Sequence, residues 1–180
     1  MALLADSKIK EAISKGDIII TDFNEDQLGP NSYNLRLGNR LLVYKDRVLD
    51  MKKKNETEEI IIPEEGYILQ PNTLYLGHTI EAVSTDKYVP IMHGRSSVGR
   101  LGIDPYVSAG FGDAGFSGVW TLELRVVQPV RVYAGVEICQ LEFDTLEGEV
   151  MHKYRGKYQN SKSVVASRMQ KDFEEGKGYY

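Results

Sequence analysis

The chain of 180 residues is poor in cysteine, with Cys139 the only one. No intrachain disulfide can form, and a zinc site built on paired cysteines is excluded. Excess positive charge is also missing: Lys and Arg number 22 against 26 Asp and Glu, a net charge of −4. A protein that grips the phosphate backbone of a nucleic acid over a broad face needs a basic surface, so nucleic acid is not an expected partner, although a local basic pocket stays open. Long apolar runs are absent as well. The start, Met1 to Ala5, is apolar but turns polar at Asp6-Ser7-Lys8, too short for a signal-peptide core or a membrane span. A cytoplasmic protein without membrane contact is the expectation, and a lone thiol agrees with it. With 42% hydrophobic and 27% charged residues, a chain of this length can bury one core unaided, and a single domain is expected.

What is present reads mostly as short strands. One helix is signalled at the N-terminus, where Asp6 or Ser7 can cap, Ile9, Ala12 and Ile13 share a face, and Gly16 ends it. Strand patterns follow at Ile18 to Ile20, Tyr33 to Leu37, Leu41 to Tyr44, Ile60 to Ile62, Tyr67 to Leu69, Leu74 to Leu76, Tyr88 to Met92, Val119 to Val127, Val130 to Tyr133 and Val136 to Phe143. Gly, Pro, Asn and Asp punctuate them, which suggests a sandwich or barrel. Val48 to Glu59, with Lys52-Lys53-Lys54 inside it, reads as a solvated loop. Gly148 to Tyr180 lacks alternation and reads as a tail or lid on a barrel spanning 1–147.

The densest chemistry lies between Ile91 and Arg125. In Gly94-Arg95-Ser96-Ser97-Val98-Gly99-Arg100, a strand end bends into a short helix that Ser96 or Ser97 can cap. Free amides and two arginines there suit phosphate oxygens, although a capped turn with solvated arginines fits the same residues. In Ser108-Ala109-Gly110-Phe111-Gly112-Asp113-Ala114-Gly115-Phe116, glycines allow tight turning and close approach of a ligand, with Asp113 at the tip. A plain glycine-rich hairpin is the other reading. In Val119 to Val126, alternation puts Trp120, Leu122, Leu124 and Val126 on the core face and Thr121, Glu123 and Arg125 on the other. A mid-strand carboxylate is costly unless solvated, paired or used, so Glu123 is either a surface acid paired with Arg125 or a cross-strand partner, or a functional one. His93, Cys139 and Trp120 read as packing residues.

These three blocks, G-R-S-S-V-G-R-L-G, then A-G-F-x-D-A-G-F-S-G, then T-L-E-L, resemble the signature of dCTP deaminases within the trimeric dUTPase superfamily. Gly29-Pro30-Asn31-Ser32-Tyr33-Asn34-Leu35-Arg36-Leu37-Gly38 resembles that family's early strand, and Gly156-Lys157-Tyr158-Gln159 its nucleotide-closing C-terminal segment. The resemblance spans nearly the whole chain. It implies a mostly β fold: a distorted jelly-roll-like barrel with a short N-terminal helix and few others, assembled as a homotrimer with active sites between subunits. It implies conversion of dCTP to dUTP and ammonia, feeding thymidylate synthesis, with Mg²⁺ carried by the triphosphate and dTTP as an inhibitor. Zinc is not expected. Zinc deaminases need His-x-Glu and Pro-Cys-x-x-Cys elements, and none of His78, His93 and His152 is followed by x-Glu.

The resemblance also implies roles. Glu123 would be the general base near C4 of cytosine, with Arg100, Ser96 and the Ala109 carbonyl positioning the water. Arg95 and Ser97, with the amides around Val98 and Gly99, would hold phosphates. The backbone around Thr121 and Leu122 would read the base edge, Phe116 would pack on the deoxyribose and disfavour a 2′-hydroxyl, and Tyr154, Lys157 and Ser161 would close from the tail. Ser161 departs from the pattern, because the family often has glutamine there, whereas Gln159 sits two residues earlier. Gly110-Phe111 stands where deaminase-only members tend to carry a His-Arg pair, so the chain resembles bifunctional members that release dUMP and diphosphate. Asp113 also occurs in deaminase-only members, which leaves both activities open. Two other readings are a pure dUTPase, against which Glu123 speaks, and a non-catalytic nucleotide-sensing module.

Overall fold

Helix α1 (Asp6–Ser14) forms where Ile9 and Ala12 face the core. Neither Asp6 nor Ser7 caps it: Ala5 holds the cap position with no side-chain bond. The Asp6 amide donates instead to the Pro30 carbonyl at 2.8 Å, and the Asp6 carboxylate accepts from the Ser7 amide. Tertiary structure thus satisfies the helix start without a capping side chain. Gly16, at φ +72°, ends the helix as its sequence position suggests.

The computed structural model describes residues 2–174. After α1 come β1 (Ile18–Ile20), β2 (Tyr33–Arg36), β3 (Arg40–Tyr44), β4 (Thr57–Ile61), β5 (Tyr67–Leu69), β6 (Tyr75–Thr85) and β7 (Tyr88–Gly94). Helix α2 (Ser96–Gly99), β8 (Ile103–Asp104), β9 (Ser117–Val126), β10 (Val130–Val132), β11 (Glu137–Thr145) and α3 (Lys171–Glu174), with a 3₁₀ turn at Glu25–Gln27 between β1 and β2, complete the described elements. All strand pairings are antiparallel. One sheet runs β4-β3-β6-β9-β8 with β1 on β6, a second runs β2-β11-β7, and β10 pairs with β5. The sheets wrap one core as a distorted barrel that does not close into a continuous ring. Tyr33, Leu35, Leu41, Leu69, Leu122, Leu124, Leu141 and Phe143 are fully buried in that core. Each such side chain contributes roughly 1.5–3 kcal/mol.

Part of the expected 48–59 loop is strand. Thr57, Glu58 and Glu59 belong to β4, paired with β3 as Tyr44↔Thr57, Val43↔Glu58 and Leu42↔Glu59. β4 is a sheet edge, mostly solvated, and its charges serve cross-strand pairs such as Arg40–Glu59. An edge strand of this kind carries polar residues where a loop would, so composition alone misplaces it. Strand β6 is longer than its Leu74–Leu76 signal suggests and is bulged. It pairs with β9 as His78↔Thr121 and then as Ala82↔Val119, with a register shift between.

The bulge brings a carboxylate inside. Glu81 is fully buried. Its Oε1 accepts from Arg36 Nε at 2.6 Å and Gln27 Nε2 at 2.9 Å, and its Oε2 accepts from the Arg36 amide at 2.9 Å. Beside it, Thr79 Oγ1 donates to the Glu81 carbonyl at 2.8 Å and accepts from the Trp120 amide at 2.9 Å.

After β11 the chain is mostly exposed over 146–153 and then lies against the barrel, where the Tyr154 amide donates to the Ala114 carbonyl and the Asn160 amide to the Ser117 carbonyl. The part of the expected tail at 175–180 lies outside the described residues. Among the described residues no helix is long and apolar enough to cross a membrane.

Two stability experiments test the core. Glu81→Ala removes the partner of a guanidinium that keeps 32% exposure. The loss therefore falls at the low end of the range for broken buried pairs, about 3 kcal/mol in denaturant unfolding. Cys139 is fully buried, and burial pushes its thiol pKa well up, so it stays protonated at neutral and mildly alkaline pH. An aromatic disulfide reagent should titrate no thiol in the native protein and one after unfolding; fast native reaction at pH 8 would contradict the packing.

Candidate active site

A cavity of about 520 Å³ opens beside β9. One wall is the strand itself, with Val119, Trp120, Thr121 and Glu123. A second is the glycine-rich segment, with Ala109, Phe111, Gly112, Asp113 and Phe116. The tail contributes Tyr154, Tyr158, Ser161, Val165 and Ser167, and Tyr44, Leu49, Leu74 and Leu76 close the remaining side. The alternation read for β9 holds: Trp120, Leu122, Leu124 and Val126 are buried, while Thr121 and Glu123 are half-buried and Arg125 is exposed. The Trp120 ring also reaches the cavity wall.

The Glu123 carboxylate is paired neither with Arg125 nor with a side chain of a neighbouring strand among the described residues. Arg125 binds Asp104 at 2.7 Å. The Glu123 Oε2 accepts from the Val107 amide at 2.8 Å and the Ser108 amide at 3.4 Å, and the Glu123 amide donates to Pro105. Its Oε1 takes no hydrogen bond from a described residue. The carboxylate is thus aimed by two backbone donors and keeps one oxygen for a ligand or a water. Asp113 is different: its carboxylate is exposed, lines the same cavity and has no side-chain partner among the described residues. Two acids in two environments face one space.

The arginine-serine turn lies elsewhere. Of the expected catalytic group Glu123, Arg100, Ser96 and Ala109, only Glu123 and Ala109 line the cavity. Ser96, Ser97, Val98 and Gly99 form α2, anchored by buried Val98. Neither serine caps it: Arg95 holds the cap position with no side-chain bond, which leaves both hydroxyls exposed. The Arg95 guanidinium is held by Glu137, through Nη1 to the carbonyl at 2.9 Å and Nη2 to the carboxylate at 2.8 Å. Asn34 Nδ2 supports that same carboxylate oxygen at 3.0 Å. Arg100 is exposed and in no ion pair among the described residues.

Of the base-reading and sugar-reading candidates, Leu122 is buried in the core, so only its backbone is on offer. Thr121 Oγ1 accepts from the Val165 amide of the tail at 3.2 Å. Phe116 stands edge-on between Trp120 and Tyr154, with ring centroids 5.9 and 5.8 Å away.

The tail lies directly on two glycines. Gly118, at φ +149°, would put a Cβ 2.8 Å from the Ser161 nitrogen, and Gly115, at φ +95°, would put one 2.7 Å from Lys153 Cβ. No other residue fits either place. Ser161 bridges Gly118 in parallel and accepts from the Val119 amide, while its hydroxyl donates to the Tyr158 carbonyl at 2.6 Å. Tyr154 accepts from the Tyr158 amide, and burial raises its phenol above the usual range. Lys157 does not line the cavity: its ammonium donates to both Asp172 oxygens at 2.6 Å, and Arg168 binds its carbonyl. Tyr44, which accepts from the Ser167 amide, and Val165 carry no motif that could have marked them in the sequence.

A family model described as dCTP deaminase-like matches residues 3–146. A protein of Clostridium acetobutylicum named "dCTP deaminase, dUMP-forming" is 54% identical over 171 residues, covering 95% of this chain and 98% of that one. A protein of Hathewaya histolytica with the same name is 55% identical over 172 residues, covering 96% and 99%. Among solved structures, 2′-deoxycytidine 5′-triphosphate deaminase from Agrobacterium tumefaciens superposes with a TM-score of 0.63 at 22% identity. The match covers 80% of this chain and 48% of that one, so the chain spans about half its length and the likeness concerns the fold. Sequence and fold agree, and the chain belongs to the dCTP deaminase-like family.

Proposed function

We propose that this protein is a dUMP-forming dCTP deaminase. It adds water at C4 of dCTP and releases ammonia, and it then adds water at the α-phosphate of the resulting dUTP and releases diphosphate. The observation that carries this reading is the pair of acids on one cavity, Glu123 held by amides and Asp113 free. The names of the two bacterial relatives favour it over deamination alone.

In the first step the free Oε1 of Glu123 takes a proton from the attacking water and passes it to the ring and the leaving amine. The Ala109 carbonyl stands on the same cavity and can hold that water. Ser96 and Arg100 do not line the cavity of their own subunit, so a second copy supplies them, which is the reason for a homotrimer with sites between subunits. Arg95 and Ser97, with the amide of Val98, hold phosphates from that same turn; the Gly99 amide, expected to join them, already donates to the Arg95 carbonyl at 2.9 Å. Phe116 packs on the deoxyribose, and the backbone at Thr121 and Leu122 meets the base edge. Tyr154 and Ser161 close the cavity, and Lys157 braces the tail through Asp172. In the second step Asp113 activates the water at the α-phosphate. Mg²⁺ would come bound through the triphosphate and would offset the charge on its oxygens, leaving Asp113 to the water. Water activation rests on side chains, without zinc. dUTP is the intermediate, dTTP competes for the same phosphate and sugar contacts, and dUMP made in the cytoplasm serves thymidylate synthesis.

Two experiments test the division of labour. Glu123→Gln should still bind dCTP, while ammonia release falls by roughly 10²–10⁴-fold; undiminished release would remove Glu123 from the reaction. With dCTP and Mg²⁺, the unaltered protein should yield dUMP and diphosphate, and Asp113→Asn should accumulate dUTP. Accumulation of dUTP without diphosphate by the unaltered protein would restrict the activity to deamination.

A further inference from the structure

We infer that Gln159 is a positioning residue for sugar selection, acting through Phe116. The inference rests on the reading of the cavity as a deoxynucleotide site. The Gln159 side-chain Oε1 accepts from the Ser117 amide at 2.9 Å, and its Nε2 donates to the Gly115 carbonyl at 2.7 Å. Those two groups belong to the peptide bonds on either side of Phe116. A single carboxamide therefore clamps both, as one strand clamps another. A weaker contact of Nε2 to the Tyr154 carbonyl, at 3.4 Å, holds the glutamine itself.

The clamp matters because of what flanks it. Gly115 and Gly118 adopt φ of +95° and +149°, so the segment between them has glycine freedom at each end. The Phe116 ring is braced by Trp120 from the barrel and by Tyr154 from the tail. Two of the three restraints on that ring, Tyr154 and Gln159, thus come from the tail. Exclusion of one hydroxyl by an apolar wall depends on the wall standing within a fraction of an ångström of the sugar, since a ring that can retreat gives the oxygen room. Both Nε2 protons of Gln159 are used on backbone carbonyls, those of Gly115 and, more weakly, Tyr154, so no donor is left over for a phosphate oxygen in this arrangement.

The experiment compares kcat/KM for dCTP and CTP in the unaltered protein, Gln159→Met, Phe116→Ala and the double variant. Methionine keeps the length and removes both hydrogen bonds. The expected result is a fall of about tenfold in the dCTP-to-CTP preference of Gln159→Met, with most of it from gained CTP turnover. In the Phe116→Ala background the same change should leave the preference where Phe116→Ala put it, because the effect runs through that ring. Equal loss on both substrates would overturn the inference and assign Gln159 to phosphate binding or to tail folding. An additive effect in the double variant would also overturn it. Amide exchange at Ser117 supplies a readout without turnover: protection should drop in Gln159→Met while β11 amides stay protected, and unchanged protection would contradict the clamp. Should Gln159→Met unfold, Gln159→Glu keeps the bond to the Ser117 amide, loses the one to Gly115 and should show the same shift in preference. If the unaltered protein releases no ammonia from dCTP, the function proposed above fails; if it does so and makes no distinction from CTP, the inference alone fails.

Discussion

A carboxylate with no access to water is the constraint on which the barrel depends. Burying Glu81 unpaired would cost several kcal/mol, so the fold must bring donors to it. They come from the Arg36 backbone and guanidinium and from Gln27. Arg36 sits on the β2-β11-β7 sheet and Glu81 on the larger one, so satisfying this one group fixes the two sheets relative to each other. The bulge that turns Glu81 inward also places Thr79 under the Trp120 amide. Trp120 is three residues from Glu123 on β9, and the register past the bulge decides which β9 residues meet the cavity.

The cavity is then completed by backbone, not by a second set of charged side chains. Gly115 and Gly118 remove the two Cβ atoms that would hold the tail away from β9. The tail settles into the space, with Ser161 alongside Gly118 and the Val165 amide on Thr121. The aromatic row Trp120, Phe116 and Tyr154 runs from barrel to tail through this contact. A segment that shapes the pocket while held by hydrogen bonds and few fully buried side chains belongs to the weaker end of the local stability range, where closing elements are drawn from.

Much of this was legible in the sequence where alternation and burial coincide. β9 could be read residue by residue, because Trp120, Leu122, Leu124 and Val126 separate cleanly from Thr121, Glu123 and Arg125. Two elements were not legible for opposite reasons. β4 is an edge strand whose glutamates look like loop residues. The second half of β6 carries Thr79 and Glu81 on its buried side, and no local pattern announces a buried acid whose partners are 45 and 54 residues away. The helix caps failed too: at α1 the Asp6 amide finds its partner in the Pro30 carbonyl, and at α2 Arg95, not a serine, holds the cap position and makes no side-chain bond. Family resemblance supplied Glu123 and Asp113 as a pair. That Glu123 is held by amides is a property of the folded loop at 105–108, and that Asp113 has no side-chain partner among the described residues is one of the glycine-rich segment; spacing can express neither.

Charge favours the proposed division of the site between copies. The chain carries −4, and a nucleoside triphosphate adds several more negative charges, so binding needs cations concentrated at one place. Among the described residues of one subunit, the cavity brings together two acids and no arginine or lysine. Arg95 is neutralised by Glu137 and Lys157 by Asp172, which fixes both side chains but takes up much of their charge. Arg95 uses two of its five guanidinium N–H groups on Glu137, so it can still donate to an anion. Arg100 keeps its full charge at the surface, one turn of α2 away. A subunit alone thus holds the acids in one place and the usable cations in another. Packing the α2 turn of one copy against the cavity of the next would bring them together, and the same contact would relieve the repulsion between Glu123, Asp113 and the phosphates that each copy faces when isolated.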